Sequence, residues 1–248
     1  MSTEMLLIAE RAKKLKGEAL HSLNHFINEE LLMKCYKQLN KNSASGTDGE
    51  NWYEFGITAA EQIPLLLNDF KTGKYRAPSI RRVYIPKDTK GGKRPIGIST
   101  VTDKVLQAAV RTVLDPIYEE EFKDFSYGFR NKRSTHQALE YMFKEVSFKG
   151  MRYIIDADIK NYFGSIDHGL LREFLARRVN DGVIRKMIDK WLKAGILEEG
   201  QLSYPTEGTQ QGGICKVSHN PPYAQSFVMH SVSFMLHEIN PITQKHSA

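Results

Sequence analysis

The chain has 248 residues, 41% hydrophobic and 26% charged, which suits a soluble globular protein with one large domain or two lobes. The 35 Lys and Arg outnumber the 29 Asp and Glu, and the resulting formal charge of +6 favours a polyanionic partner without demanding one. Two cysteines, Cys35 and Cys215, exclude a disulfide framework and a paired-cysteine metal site. No run approaches the ~20 apolar residues of a membrane span, and the start MSTEMLLIAERAKK has no apolar leader core, so a cytoplasmic protein with no membrane partner is expected.

Taken in order, residues 4–39 carry leucines and isoleucines at near-helical spacing and predict two helices. NKNSASGTDGEN (40–51) is a loop by composition, and 59–70 predicts a helix ending before Gly73. The stretch 71–94 holds nine Lys or Arg and one acid, Asp88. Within it RRVYIP alternates, KGGK offers a tight turn and RPIGIS returns, which predicts a β-hairpin with basic residues projecting from it. Val105, Leu106, Ala109, Val110, Val113 and Leu114 then form one helical stripe, with Thr102 as its expected N-cap and Pro116 as its interruption. A loop dense in Arg and aromatics leads into a helix that Ser134 or Thr135 could cap. A strand is expected at about 151–158 and helices at about 168–179 and 183–194, with Gly195 just past the second. ILEEGQLSYP predicts a second hairpin turning at Glu199 and Gly200. Helices and hairpins without a βαβ rhythm give an α+β fold class.

Four stretches could carry chemistry, and each has two readings. The hairpin with Lys87 and Arg94 is a cation platform or a solvated strand edge. YGFR (127–130) offers Arg130 to a ligand or is a packed turn. DADIKNYF (156–163) puts Asp156 and Asp158 on one strand face, where they call for a divalent cation or serve as a cap. TQQGG (209–213) is a ligand loop or a flexible one.

In this order and spacing, GTDG (46–49), RRVYIPKDTKGGKRPIGIST (81–100), FKDFSYGFRNKRSTHQAL (122–139), YIIDADIKNYFGSIDH (153–168), KWLKAGILEEG (190–200) and EGTQQGG (207–213) resemble the reverse-transcriptase domain of group II intron-encoded proteins, also called intron maturases. The likeness covers about residues 31–214. It implies a right-hand polymerase: an N-terminal helical extension over 1–45, fingers over 46–145, part of a palm over 146–214 and a divergent tail over 215–248. It implies RNA-directed DNA polymerisation, with RNA (intron or template), a DNA primer or target and a deoxynucleoside triphosphate as partners, and Mg²⁺, or Mn²⁺ in its place, as cofactor. Asp158 becomes a catalytic metal ligand and the Ile159 carbonyl a second, with Asp156 in support. Lys87, Arg94, Arg130, Phe163, Gln211 and Gly212 become nucleotide contacts. Phe163 would lie under the sugar, where its ring blocks a 2′-hydroxyl, unless it is a core aromatic. Lys71, Lys74, Arg76, Arg81 and Arg82 suit RNA phosphate.

The pattern breaks in two places. Gln210 stands where the family carries proline. After Ile214 the family's long apolar helix is only faintly echoed, in AQSFVMHSV, and its adjacent-aspartate strand pair has no counterpart: residues 215–248 hold no Asp and one Glu, Glu238. Glu198 and Glu199, on a hairpin, are poor substitutes. Cys215 with His219, His230, His237 and His246 fits no zinc spacing. The expectation is therefore a polymerase by descent that is inactive alone. A non-catalytic RNA-binding remnant and one part of a split enzyme, completed by another polypeptide, stand as alternatives.

Overall fold

The computed structural model describes residues 3–86, 92–128, 130, 132–148 and 161–209. Asp156, Asp158, Ile159, Lys87, Gln211, Gly212, the strand expected at 151–158 and the tail lie outside them. Among the described residues seven α-helices and four strands follow in the order α1 (Thr3–Lys14), α2 (Glu29–Gln38), α3 (Trp52–Thr72), β1 (Ile80–Pro86), β2 (Lys93–Ile98), α4 (Val101–Glu119), α5 (Thr135–Phe148), α6 (His168–Arg178), α7 (Gly182–Leu192), β3 (Ile196–Glu198) and β4 (Gln201–Ser203). No helix among the described residues is long and apolar enough to cross a membrane.

Helix α4 is the axis of the core. Its stripe from Val105 through Leu106, Ala109, Val110, Val113, Leu114 and Ile117 is fully buried, and α1, α2 and α3 pack around it. The helix is capped by Thr100, not Thr102: the Thr100 hydroxyl accepts from the Asp103 amide at 3.2 Å. Pro116 does not interrupt it. The missing N–H costs one bond, but Pro116, Ile117 and Tyr118 are all buried, and that burial carries the helix to Glu119. Helix α3 begins seven residues before the expected start. Asn51 and Glu54 form a reciprocal capping box there, with bonds of 2.8–3.1 Å, so Gly56 sits inside the helix.

The N-terminal helices share this core. Met5, Ile8 and Ala12 of α1 join it, and the buried Arg178 at the end of α6 ties α1 down. Its guanidinium donates to the carbonyls of Ala12 at 3.0 Å, Leu15 at 2.6 Å and Glu18, and pairs with Glu121 at 2.7 Å.

The sheet runs β2-β1-β3-β4. Both expected hairpins form. Arg81 to Pro86 pair antiparallel with Ile98 to Lys93, and Ile196 to Glu198 pair with Ser203 to Gln201 across a turn with φ of 49° at Glu199 and 82° at Gly200. The sequence gives no sign that the two hairpins join. They do so through parallel pairing of Ile80 with Ile196 and Arg81 with Leu197, making one four-stranded sheet. Gly195 does not cap α7, which ends at Leu192. Its carbonyl accepts from the Ile80 amide at 2.7 Å and opens the β1–β3 seam.

Candidate nucleotide and nucleic-acid site

The basic hairpin has two unlike faces. Alternation puts Arg82 and Tyr84 on one face, and the register sets Glu198 of β3 beside them. Arg82 pairs with Glu198 at 3.2 Å, and the Tyr84 hydroxyl donates to the same carboxylate. On the other face Arg81 donates to the Ser45 carbonyl at 2.6 and 3.2 Å. Arg81 and Arg82, expected as RNA contacts, are thus engaged within the fold. The sequence shows the cations but not the carbonyl and carboxylate that folding brings to them.

Arg94, opposite Ile85 in the register, is exposed and has no partner among the described residues. Lys71, Lys74 and Arg76 are exposed and equally unpaired there, but they belong to the end of α3 and the linker after it, not to the hairpin. Lys71 borders a cleft of about 380 Å³ with Lys186 and Lys190. Lys190 is held by the Gly73 and Tyr75 carbonyls at 2.6 and 2.7 Å.

Arg130 has a structural position. Its side chain is 6% exposed, pairs with Glu119 at 2.6 Å, donates to the Lys123 and Ser126 carbonyls at 2.9 Å, and lies 4.8 Å over the Phe122 ring. These partners close the loop after α4 and leave little of the guanidinium for a nucleotide. The packed-turn reading of YGFR is the one this geometry favours.

The loop GTDG packs against the root of the hairpin. A Cβ on Gly46 would fall 2.5 Å from the Thr100 amide nitrogen, so only glycine permits this approach. Thr47 donates to the Ser79 carbonyl at 3.0 Å, and Lys104 reaches the Ala44 carbonyl at 2.8 Å.

The remaining two motifs meet. Within the short 3-10 turn at 162–164 the Phe163 carbonyl accepts from the Thr209 amide at 2.6 Å, and just after it the Ile166 carbonyl accepts from the Gly208 amide at 2.8 Å. The buried His168, first residue of α6, donates from Nε2 to the Gly208 carbonyl at 2.7 Å. Gly208 has φ +82°, and a Cβ there would lie 2.8 Å from the Gly164 carbonyl oxygen. The end of DADIKNYFG, at Gly164, and the start of TQQGG, at Thr209, are therefore one backbone seam, though they lie far apart in sequence. Phe163 is partly buried against the core, which is the packing its core-aromatic reading requires. The Thr209 hydroxyl oxygen is buried without a hydrogen-bond partner among the described residues.

Sequence reading missed His168, Gly208 and Asp103. Asp167 ahead of an apolar-spaced run is an N-cap signal, and its carboxylate does accept from the Leu170 amide at 2.7 Å. That signal locates His168 at a helix start but not its partner. Asp103 is fully buried and accepts from Trp191 Nε1 at 2.6 Å, Gln107 Nε2 at 2.7 Å and the Tyr75 hydroxyl at 3.1 Å. Burial pushes its pKa up to about 6, and these three bonds offset only part of that rise. No group of three metal-ligating side chains occurs among the described residues.

Comparison with known proteins agrees with this geometry. Residues 85–245, well over half the chain, match the family described as reverse transcriptase (RNA-dependent DNA polymerase). The group II intron-encoded protein LtrA of Lactococcus lactis subsp. cremoris is 35% identical over 214 residues, covering 84% of this chain and 35% of that protein. Protein YkfC of Escherichia coli K12 is 32% identical over 196 residues, covering 78% of this chain and 50% of that protein. The nuclear intron maturase 3 of Arabidopsis thaliana is 29% identical over 119 residues, covering 47% of this chain and 16% of that protein. The chain thus spans at most half the length of these relatives. Among solved structures, a partial Cas6-RT-Cas1–Cas2 complex shares the fold, with a TM-score of 0.56 and 20% identity over 87% of this chain and 35% of that one. By the family match over residues 85–245 and the 35% identity to LtrA, which covers 84% of this chain, the chain belongs to the reverse transcriptase family, in its group II intron-encoded, maturase-related branch.

Proposed function

We propose that this chain supplies the template- and nucleotide-binding part of a group II intron-type RNA-directed DNA polymerase. The observation that carries the reading is the seam at which Thr209 bonds Phe163, because it brings the sugar-side aromatic and the root of the glutamine–glycine loop to one place. Arg94, exposed and unpaired among the described residues, and Lys87 are the cations for the triphosphate. Gln211 and Gly212 follow directly from the seam in sequence. Phe163 excludes a 2′-hydroxyl.

Carboxylate and main-chain carbonyl oxygens are the hard donors that magnesium prefers, so Asp158 and the Ile159 carbonyl suit that ion. When bound it would neutralise charge on the transferring phosphoryl group and favour ionisation of the primer 3′-hydroxyl. Residues 159–248 contain no adjacent aspartates, and no such pair occurs elsewhere in the 248 residues. We infer that this polypeptide does not extend a primer by itself.

Primer extension on an RNA template with Mg²⁺ tests both parts. The chain alone should give no product, and a second polypeptide carrying an adjacent-aspartate strand should restore synthesis that depends on Asp158. Extension by the chain alone, lost in Asp158→Ala, would overturn the inactivity and keep the polymerase. Failure to restore synthesis, with salt-dependent RNA binding intact in Asp158→Ala, would favour an RNA-binding protein without chemistry.

A further inference from the structure

The seam between Phe163 and Thr209 rests on two main-chain bonds and one side chain. That side chain is His168, which is 6% exposed and fixed on its own element. It is the first residue of α6, and the Asp167 cap holds the helix start by accepting from the Leu170 amide at 2.7 Å. The ring therefore projects from a rigid base. Its Nε2 lies 2.7 Å from the Gly208 carbonyl oxygen. A carbonyl can only accept, so Nε2 carries the hydrogen.

Glycine is what this position requires: the φ of +82° at Gly208 lies in the left-handed region that glycine adopts freely, and a Cβ there would lie 2.8 Å from the Gly164 carbonyl oxygen. The amide of Gly208 bonds the Ile166 carbonyl at 2.8 Å, and the next amide, of Thr209, bonds Phe163 at 2.6 Å. Three consecutive polar groups, the Gly208 N–H, the Gly208 C=O and the Thr209 N–H, are thus all anchored to residues 163–168. Only the middle one depends on a side chain. Removing it leaves a buried carbonyl unsatisfied and frees the peptide plane whose far side carries the Thr209 amide.

We propose that His168 is a positioning residue for sugar discrimination: by holding the Gly208 carbonyl it fixes the Thr209 amide on the Phe163 carbonyl, and so fixes the turn that carries the Phe163 ring. His168 itself touches no substrate. The inference rests on the reading of Phe163 as the residue facing the nucleotide sugar.

Two readouts on the full 248-residue chain test it, with His168→Phe, which keeps a ring and loses the donor, and His168→Gln, whose amide can still donate. The first is hydrogen exchange of the Gly208 and Thr209 amides followed by mass spectrometry. His168→Phe should speed it about tenfold, and His168→Gln about twofold or less, with α4 peptides unchanged in both. The second is the ratio of affinities for labelled dATP and ATP in the presence of Mg²⁺ and an RNA–DNA duplex. The preference for dATP should narrow about tenfold in His168→Phe and persist in His168→Gln. If Phe unfolds the chain, His168→Met fills the space without a donor and serves the same comparison. Unchanged exchange in the donor-less variant would reduce His168 to packing and overturn the proposal, as would faster exchange with an unaltered sugar preference. If the wild-type chain binds neither nucleotide, the proposed function fails, and the exchange result still decides whether His168 holds the seam.

Discussion

Asp103 sits where three segments meet: Tyr75 precedes β1, Asp103 follows β2, and Trp191 precedes β3. One buried carboxylate therefore ties down the chain on its way into β1 and β3 and on its way out of β2. Its pKa of about 6 in the fold, against about 3.9 in an unfolded chain, sets the sign of its pH dependence. The folded state holds the proton more tightly, so the stabilisation is complete below about pH 4 and is lost as pH rises through about 6. Urea midpoints should fall over that window in the wild type and fall less steeply in Asp103→Asn. Parallel curves would place the titration elsewhere. At this scale the sequence was least legible. Arg81, Arg82 and Arg130 read as free cations because composition shows charge and spacing, whereas their partners, the Ser45 carbonyl, Glu198 and Glu119, are set by folding. Phe163 was read both as a ring under the sugar and as a core aromatic; the fold packs it partly buried against the core, with its carbonyl bonded to the Thr209 amide.

Elements were far easier to read than their junctions. Both hairpins announced themselves through alternation and turn residues, and the α4 stripe through its period, because these signals are local. The parallel β1–β3 contact depends on where α7 delivers Gly195, which no local pattern encodes. The start of α3 was missed for a different reason. Asn51 was read as part of the loop over 40–51, although the Asn51–Glu54 capping box is itself a sequence signal. The seam is a junction sensitive to a single methyl group. Gly208→Ala adds a Cβ 2.8 Å from the Gly164 carbonyl oxygen at a φ that L-residues resist. It should lower the unfolding free energy by about 1–3 kcal/mol, read from urea unfolding, and should raise proteolysis after Tyr204. Gly182→Ala, where nothing lies within 4 Å of the added carbon, is the control and should be near neutral.

For the molecule as a whole, the net charge of +6 is unevenly available. Internal partners hold Arg81, Arg82, Arg130 and Arg178, while Lys71, Lys74, Arg76 and Arg94 remain exposed and unpaired among the described residues. RNA affinity should therefore fall steeply with salt, and the combined change Lys71→Glu with Lys74→Glu should weaken it about tenfold while flattening the log–log salt slope by roughly 1 to 2. Arg82→Ala should cost less RNA affinity than either lysine change, since its charge is already matched by Glu198. A larger effect at Arg82 would mean that RNA displaces Glu198. The union of the two hairpins has one mechanical outcome. Because β1 is bonded to β3 at Ile80 and Arg81, the root of the basic hairpin cannot swing free of β3 and β4, and any bending is left to the part of the hairpin beyond Arg81.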